Sequence, residues 1–323
     1  METFTGKGVT MRIVFFGSGE IALPALRRLA ASAEHRLVGI VAQPDKPAGR
    51  RRELRPPETK RFGVEHGIPV VQPPRIKAPE ALDAVGAMRP DAVVVMAYGQ
   101  ILPLALIELP PVACLNLHAS LLPRHRGAAP IHAAIAAGDR ETGITVMYVS
   151  EGLDAGDVLL RRAIPIRRRE TTASLHDRLA ELAATAMGEA LDLLAGGRAP
   201  RSPQEGRLVT YSPKLGHASG RIDWAKPARE IERLIRAMNA WPAAWTRLPA
   251  GAGAKEMKIF SAIVCRKANG EPGRVIRADE KGLLVGCAQG ALLARKIQPE
   301  GARPMESAEF LRGHPISEGS FLG

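Results

Sequence analysis

Four apolar runs, each six residues long and separated by stretches of helical spacing, constrain this chain most. They span 12–17, 37–42, 91–96 and 112–117. Short runs rich in Val, Ile and Phe, bounded by glycine or polar residues, read as strands buried on both faces. Between them, 21–31 places Leu23, Leu26, Leu29 and Ala30 on one helical face, and 59–66, 79–88 and 102–108 also read as helices. A short strand is expected at 69–71. Such βαβα alternation builds a parallel sheet covered by helices on both sides. Ligands of these sheets sit beyond the carboxyl ends of the strands.

The run at 112–117 leads into a polar pair, Asn116 and His118, two residues apart. Side chains alternate along a strand, so the carboxamide and the imidazole face the same way. Together they can stabilise an oxyanion and move a proton. The first βα turn, Gly17-Ser18-Gly19-Glu20-Ile21-Ala22, fits the outline of a dinucleotide fingerprint. That reading also needs an acidic residue where the next strand ends, to hold the ribose. Gln43 stands there instead, so a glycine-rich turn is expected rather than a nicotinamide site.

Beyond 127, a helix at 130–137 precedes strands at 142–149 and 158–166, joined by a tight turn holding Asp154. A long amphipathic helix follows at 171–194, with Gly196 and Gly197 as its stop. The pattern then changes. After a helix at 231–238, short strands at 245–248, 257–264, 273–276, 282–286 and 292–297 suggest a small OB-like β-barrel. The expected division is a Rossmann-like α/β domain over 11–198, a linker over 199–210, and the barrel over 211–323. Residues 1–10 read as a tail, with Met11 opening the structured part.

The formal net charge is +12, and residues after 205 supply +8 of it, with 19 Lys/Arg against 11 Asp/Glu. The remaining excess falls in the proline-rich loop 45–61, which holds Arg50, Arg51, Arg52 and Arg55. Its prolines and Gly49 argue against regular structure there, and arginines in a loop suit phosphates. A polyanion touched at two places is implied. Cys114, Cys265 and Cys287 are too scattered for a disulfide framework or a zinc site. His118, His125 and His132 lack ligand spacing, so no metal is expected. No apolar run reaches the roughly 18 to 20 residues of a membrane span. A cytoplasmic monomer is the expectation.

The stretch Asn116-Leu117-His118-Ala119-Ser120-Leu121-Leu122-Pro123, continuing through Arg126-Gly127 to Pro130, resembles the signature of folate-dependent formyltransferases. Leu153-Asp154-Ala155-Gly156-Asp157 resembles their second signature. The basic loop, Arg221-Ile222-Asp223-Trp224 and Asn239-Ala240-Trp241-Pro242 are similar to members acting on methionyl-initiator tRNA. The first βα turn departs from that pattern, reading Gly17-Ser18-Gly19 where Gly-Thr-Pro is usual. The resemblance implies a Rossmann-like formyltransferase domain followed by a β-barrel domain that binds tRNA. It also implies 10-formyltetrahydrofolate as co-substrate and Asn116, His118 and Asp154 as the catalytic group. Asn116 would donate to the oxyanion. His118 would stabilise the same oxyanion and transfer protons, with Asp154 orienting it and helping to shuttle the amine's proton. Ser120, Leu121, Leu122 and Pro123 would hold the folate, and Arg50, Arg51, Arg52 and Arg55 the tRNA acceptor end. A sugar-nucleotide N-formyltransferase shares the two signatures and is the alternative; a small acceptor needs neither the arginine loop nor a basic barrel.

Overall fold

The strand expected first, β1 (Arg12–Gly17), is an inner strand of a seven-stranded sheet. The other strands are β2 (Arg36–Val41), β3 (Val70–Val71), β4 (Ala92–Met96), β5 (Ala113–His118), β6 (Glu141–Tyr148) and β7 (Val158–Pro165). This computed structural model describes residues 9–49, 53–239, 241–249 and 256–323. The strand order is β7-β6-β5-β4-β1-β2-β3. From β5 to β3 all neighbours are parallel, and β6 runs antiparallel against β5. Every residue of β4 is buried, as its unbroken Ala-Val-Val-Val-Met run requires of a strand covered on both faces.

Helices Leu23–Ala30, Glu58–Glu65, Pro79–Ala87 and Leu104–Ile107 lie where their spacing puts them. Proline opens Pro79–Ala87 and supports its first turn, where the missing N–H goes unneeded. Val14, Phe16, Val41, Val85, Val93 and Leu106 pack into one apolar layer on the sheet.

Chain contacts divide the protein into two compact units. One comprises 1–127, 141–164 and 176–211; the other 128–140, 165–175 and 212–323. The stretch 199–210, expected as a linker, is tied into the first unit. Val158 and Ser202 exchange backbone hydrogen bonds at 2.8 and 3.0 Å, and the Arg126 N–H donates to the Thr210 carbonyl at 2.9 Å.

The basic loop also departs from expectation. Lys46–Ala48 and Glu53–Arg55 pair antiparallel, with Pro47 opposite Leu54. A two-stranded ribbon has free edges, so the N–H that Pro47 lacks is not needed for the ladder. Asp45 anchors its base: the carboxylate accepts from Lys60 Nζ at 2.8 and 2.9 Å and from Gln72 Nε2 at 2.7 Å. Those partners, Gln72 foremost, hold the Asp45 carboxyl below the usual value.

In the second unit six strands form a barrel-like antiparallel sheet: β8 (Ala244–Arg247), β9 (Glu256–Cys265), β10 (Val275–Asp279), β11 (Gly282–Gly286), β12 (Ala291–Pro299) and β13 (Met305–Glu306). The order is β8-β9-β12-β11-β10, with β13 on β12. Helix Ala228–Ala237 begins three residues before the expected start and buries Ala228, Ile231 and Ile235. These side chains join Trp224, Met257, Ile259, Leu292, Ile297 and Phe310 in one core.

Candidate active site

β5 reaches the carboxyl edge of the sheet with Asn116 half-buried and His118 buried. Asn116 lies opposite Met147 on β6, and His118 opposite Thr145. The Asn116 carboxamide makes no hydrogen bond among the described residues, so both its amide protons are free for a ligand. His118 differs: its Nε2 lies 2.9 Å from the His125 carbonyl oxygen. A carbonyl can only accept, so Nε2 carries a proton and points into the protein. The reacting side of the imidazole is therefore Nδ1.

Asp154 completes the group from the turn between β6 and β7. Its Oδ2 is 3.5 Å from His118 Nδ1 and accepts the Gly127 N–H at 2.7 Å. The carboxylate is 14% exposed and the imidazole 7%. At 3.5 Å the carboxylate is at ion-pair distance from a protonated ring and makes no hydrogen bond to the neutral one, whose Nδ1 bears a lone pair, so Nδ1 stays open to a reacting group. Two backbone positions that shape the site have left-handed φ values, His125 at 60° and Asp154 at 47°. Asp tolerates that region better than most residues, which suits the place it holds. The glycine two residues on has a steric cause: a Cβ on Gly156 would collide with the Tyr148 carbonyl oxygen.

The loop after β5 is held by a bond of its own and by side chains from β6 and β7. Ser120 Oγ donates to the Arg124 carbonyl at 2.6 Å, Thr145 Oγ1 donates to the Ser120 carbonyl at 2.7 Å, and the Leu122 N–H donates to Thr145 Oγ1 at 3.0 Å. Arg161 Nε donates to the Leu122 carbonyl at 2.8 Å. Ser120, Leu122 and Pro123 are buried and Leu121 half-buried. The groups expected to face a folate are thus mostly engaged with the protein; they fix the loop, and Leu121 is its half-buried apolar surface.

Of the arginines expected to meet a polyanion, Arg55 is exposed at the end of the small hairpin, beside Leu54, which is 67% exposed. Arg50, Arg51 and Arg52 lie outside the described residues.

Three features missed in the sequence surround the Asn–His–Asp group: the His125 carbonyl, the Gly127 N–H and Gln204. The positive φ of His125 has no sequence signal, and Gln204 falls in the stretch read as a linker.

Other chemistries find less support. The Ser18 and Gly19 N–H groups, which would cradle a pyrophosphate, both donate to the Ala97 carbonyl, at 3.2 and 3.4 Å. Cys114 shares the face of Asn116 and His118, but burial pushes its thiol from 9.0 up to about 12. It stays a neutral thiol at working pH and is no acyl carrier. Among the described residues one trio, Glu34, His35 and Asp192, brings three potential metal ligands together. There His35 Nδ1 accepts the Met11 N–H at 3.4 Å, so Nε2 carries the proton and lacks a lone pair for a metal.

The family description "Formyl transferase" matches residues 11–191, and "Formyl transferase, C-terminal domain" matches 214–315. The methionyl-tRNA formyltransferase of Geobacter sulfurreducens is 42% identical over 313 residues, 97% of each chain. That of Akkermansia muciniphila is 45% identical over 307 residues, 94% of this chain and 97% of its own. Among solved structures, HypX from Aquifex aeolicus in complex with tetrahydrofolic acid has a TM-score of 0.63 at 21% identity, covering 97% of this chain and 50% of HypX. WlaRD, a sugar 3N-formyl transferase, has a TM-score of 0.64 at 17% identity, covering 92% of this chain and all of its own. At such identities these two structures speak to the fold alone.

Proposed function

The chain belongs to the formyl transferase family, and we propose that its site carries the formyl group of 10-formyltetrahydrofolate to the α-amine of methionyl-initiator tRNA. Identities of 42% and 45% across nearly the whole length, to enzymes named for methionyl-tRNA, support that acceptor. The observation that supports the chemistry is Asp154 Oδ2 lying 3.5 Å from His118 Nδ1, on the strand face that also carries Asn116.

Attack of the neutral amine forms an N–C bond and moves the carbonyl π electrons onto oxygen. The free amide protons of Asn116 donate to that oxyanion. The amine then loses a proton, for which His118 Nδ1 is the available base, and Asp154 offsets the charge that appears on the ring. The same proton passes to N10 as the N10–C bond breaks and the carbonyl re-forms. The products are tetrahydrofolate and the formylated amine, with no change of oxidation state.

The loop Ser120 to Pro123 forms the folate wall, rigid because Thr145 and Arg161 satisfy its backbone. Arg50, Arg51, Arg52 and Arg55 meet the acceptor end of the tRNA. The basic C-terminal region, 211–323 by our division, holds the phosphate backbone, after a catalytic region at 11–198. Among the described residues no helix is long and apolar enough to cross a membrane. We place the protein in the cytoplasm as a monomer.

The test is direct: incubate the protein with 10-formyltetrahydrofolate and charged initiator tRNA, and look for formylmethionine. A protein that formylates an amino sugar nucleotide and leaves methionyl-tRNA untouched refutes the acceptor assignment.

A further inference from the structure

We propose that Gln204 is a positioning residue for the reaction, clamping the Asp154 turn onto the loop that presents the Gly127 N–H. The inference rests on the catalytic reading of Asp154 given above.

The turn carrying Asp154 is poorly supported by its surroundings. Glu151, Gly152 and Leu153 are exposed, and Asp154 itself has a left-handed backbone. Beyond the bonds of its own hairpin, from the Tyr148 N–H to the Asp157 carbonyl at 2.9 Å and from the Ala155 N–H to the Gly152 carbonyl at 3.3 Å, it is held from two other places in the chain. The Gly127 N–H binds the Asp154 carboxylate. The half-buried Gln204 carboxamide binds the turn's backbone: Nε2 donates to the Asp154 carbonyl at 2.9 Å and to the Gly156 carbonyl at 2.8 Å. The other end of the same amide accepts from Arg126 Nε at 3.1 Å and from Arg126 Nη2 at 2.8 Å.

Arg126 immediately precedes Gly127, so these contacts close a ring. It runs from Gln204 Oε1 to Arg126, along the backbone to the Gly127 N–H, across to the Asp154 carboxylate, and back through the Asp154 carbonyl to Gln204 Nε2. A carboxamide suits this place because it joins a donor and an acceptor two bonds apart. Glutamate would face two carbonyls with no proton to give. Methionine would fill the volume and make none of the four bonds. Without the clamp the carboxylate can drift from His118, and misplacement of about 1 Å can lower a rate about a hundredfold.

The experiment is a double-mutant cycle in single-turnover formylation of methionyl-tRNA, using Gln204→Met, Asp154→Asn and the double variant. We expect Gln204→Met to lower the rate about tenfold to a hundredfold. KM for both substrates should stay within about threefold, and the pH profile should change its shape. On the Asp154→Asn background the same substitution should cost less than about threefold, because the two act as one unit. Equal losses on both backgrounds, or a Gln204→Met enzyme with the wild-type rate, would overturn the proposal. Gln204→Glu keeps the Arg126 pairing and covers the case of a Met variant that does not fold; it should show the same split. Near wild-type activity of Asp154→Asn sinks the catalytic reading itself, whereas a slow Asp154→Asn beside a normal Gln204→Met sinks this inference alone.

Discussion

Replacing Asp154 by Asn isolates the charge of the carboxylate from its shape. Asn tolerates a left-handed backbone as Asp does, and its side-chain oxygen can still accept the Gly127 N–H now bound at 2.7 Å. What disappears is one negative charge 3.5 Å from His118 Nδ1. At that distance and an effective dielectric of about 20, a full charge pair interacts by about 5 kcal/mol. The carboxylate is 14% exposed, so water screens part of this, and the amide dipole that replaces it recovers a little. A loss of about 3 to 4 kcal/mol in the transition state remains, a rate lower by about 10² to 10³. The stability change should be small, since no buried bond is broken. The assay is rapid-quench single turnover with saturating 10-formyltetrahydrofolate and methionyl-tRNA, beside a folate titration and a thermal melt. A folded Asp154→Asn enzyme within about threefold of the wild-type rate would refute the argument, because the carboxylate's charge would then do nothing for the reaction.

Asn116→Ala removes a side-chain donor that has no partner among the described residues, and single turnover should fall by about 10² to 10³; a near-normal rate would move the oxyanion elsewhere. Arg51 and Arg52 to Ala, with Arg55→Ala as the described member of the set, should raise KM for tRNA and leave folate affinity unchanged. The same activity should fall steeply with added salt, and equal loss of folate binding would contradict the assignment. Alkaline stability tests the buried Cys114 thiol, raised from 9.0 to about 12. Its contribution is fully present below pH 9 and is lost as pH rises towards 12, because the unfolded chain gives up the proton first. The slope is about 1.4 kcal/mol per pH unit over that window. Urea midpoints from pH 8 to 11 should decline less steeply in Cys114→Ala, and an unchanged slope would place that thiol in contact with water.

Local pattern alone determined much of this protein. An unbroken apolar run such as 92–96 must be covered on both faces, and strand parity must turn Asn116 and His118 the same way; both follow from backbone geometry within a few residues. Only the tertiary structure decided the rest, because it depends on where the chain returns. Asp154 meets the Gly127 N–H across 27 positions and Gln204 across 50, and no periodicity marks such pairs. The proton on His118 Nε2 was fixed by a carbonyl that reaches it through the left-handed turn at His125. The glycines of the first turn look like a phosphate cradle in sequence, yet the Ala97 carbonyl, carried in from the neighbouring β4, fills it. The loop read as irregular became a hairpin because an isolated ribbon tolerates proline on its free edge. Hydrogen-bonding groups are common to every residue's backbone, so the sequence does not say which of them will meet.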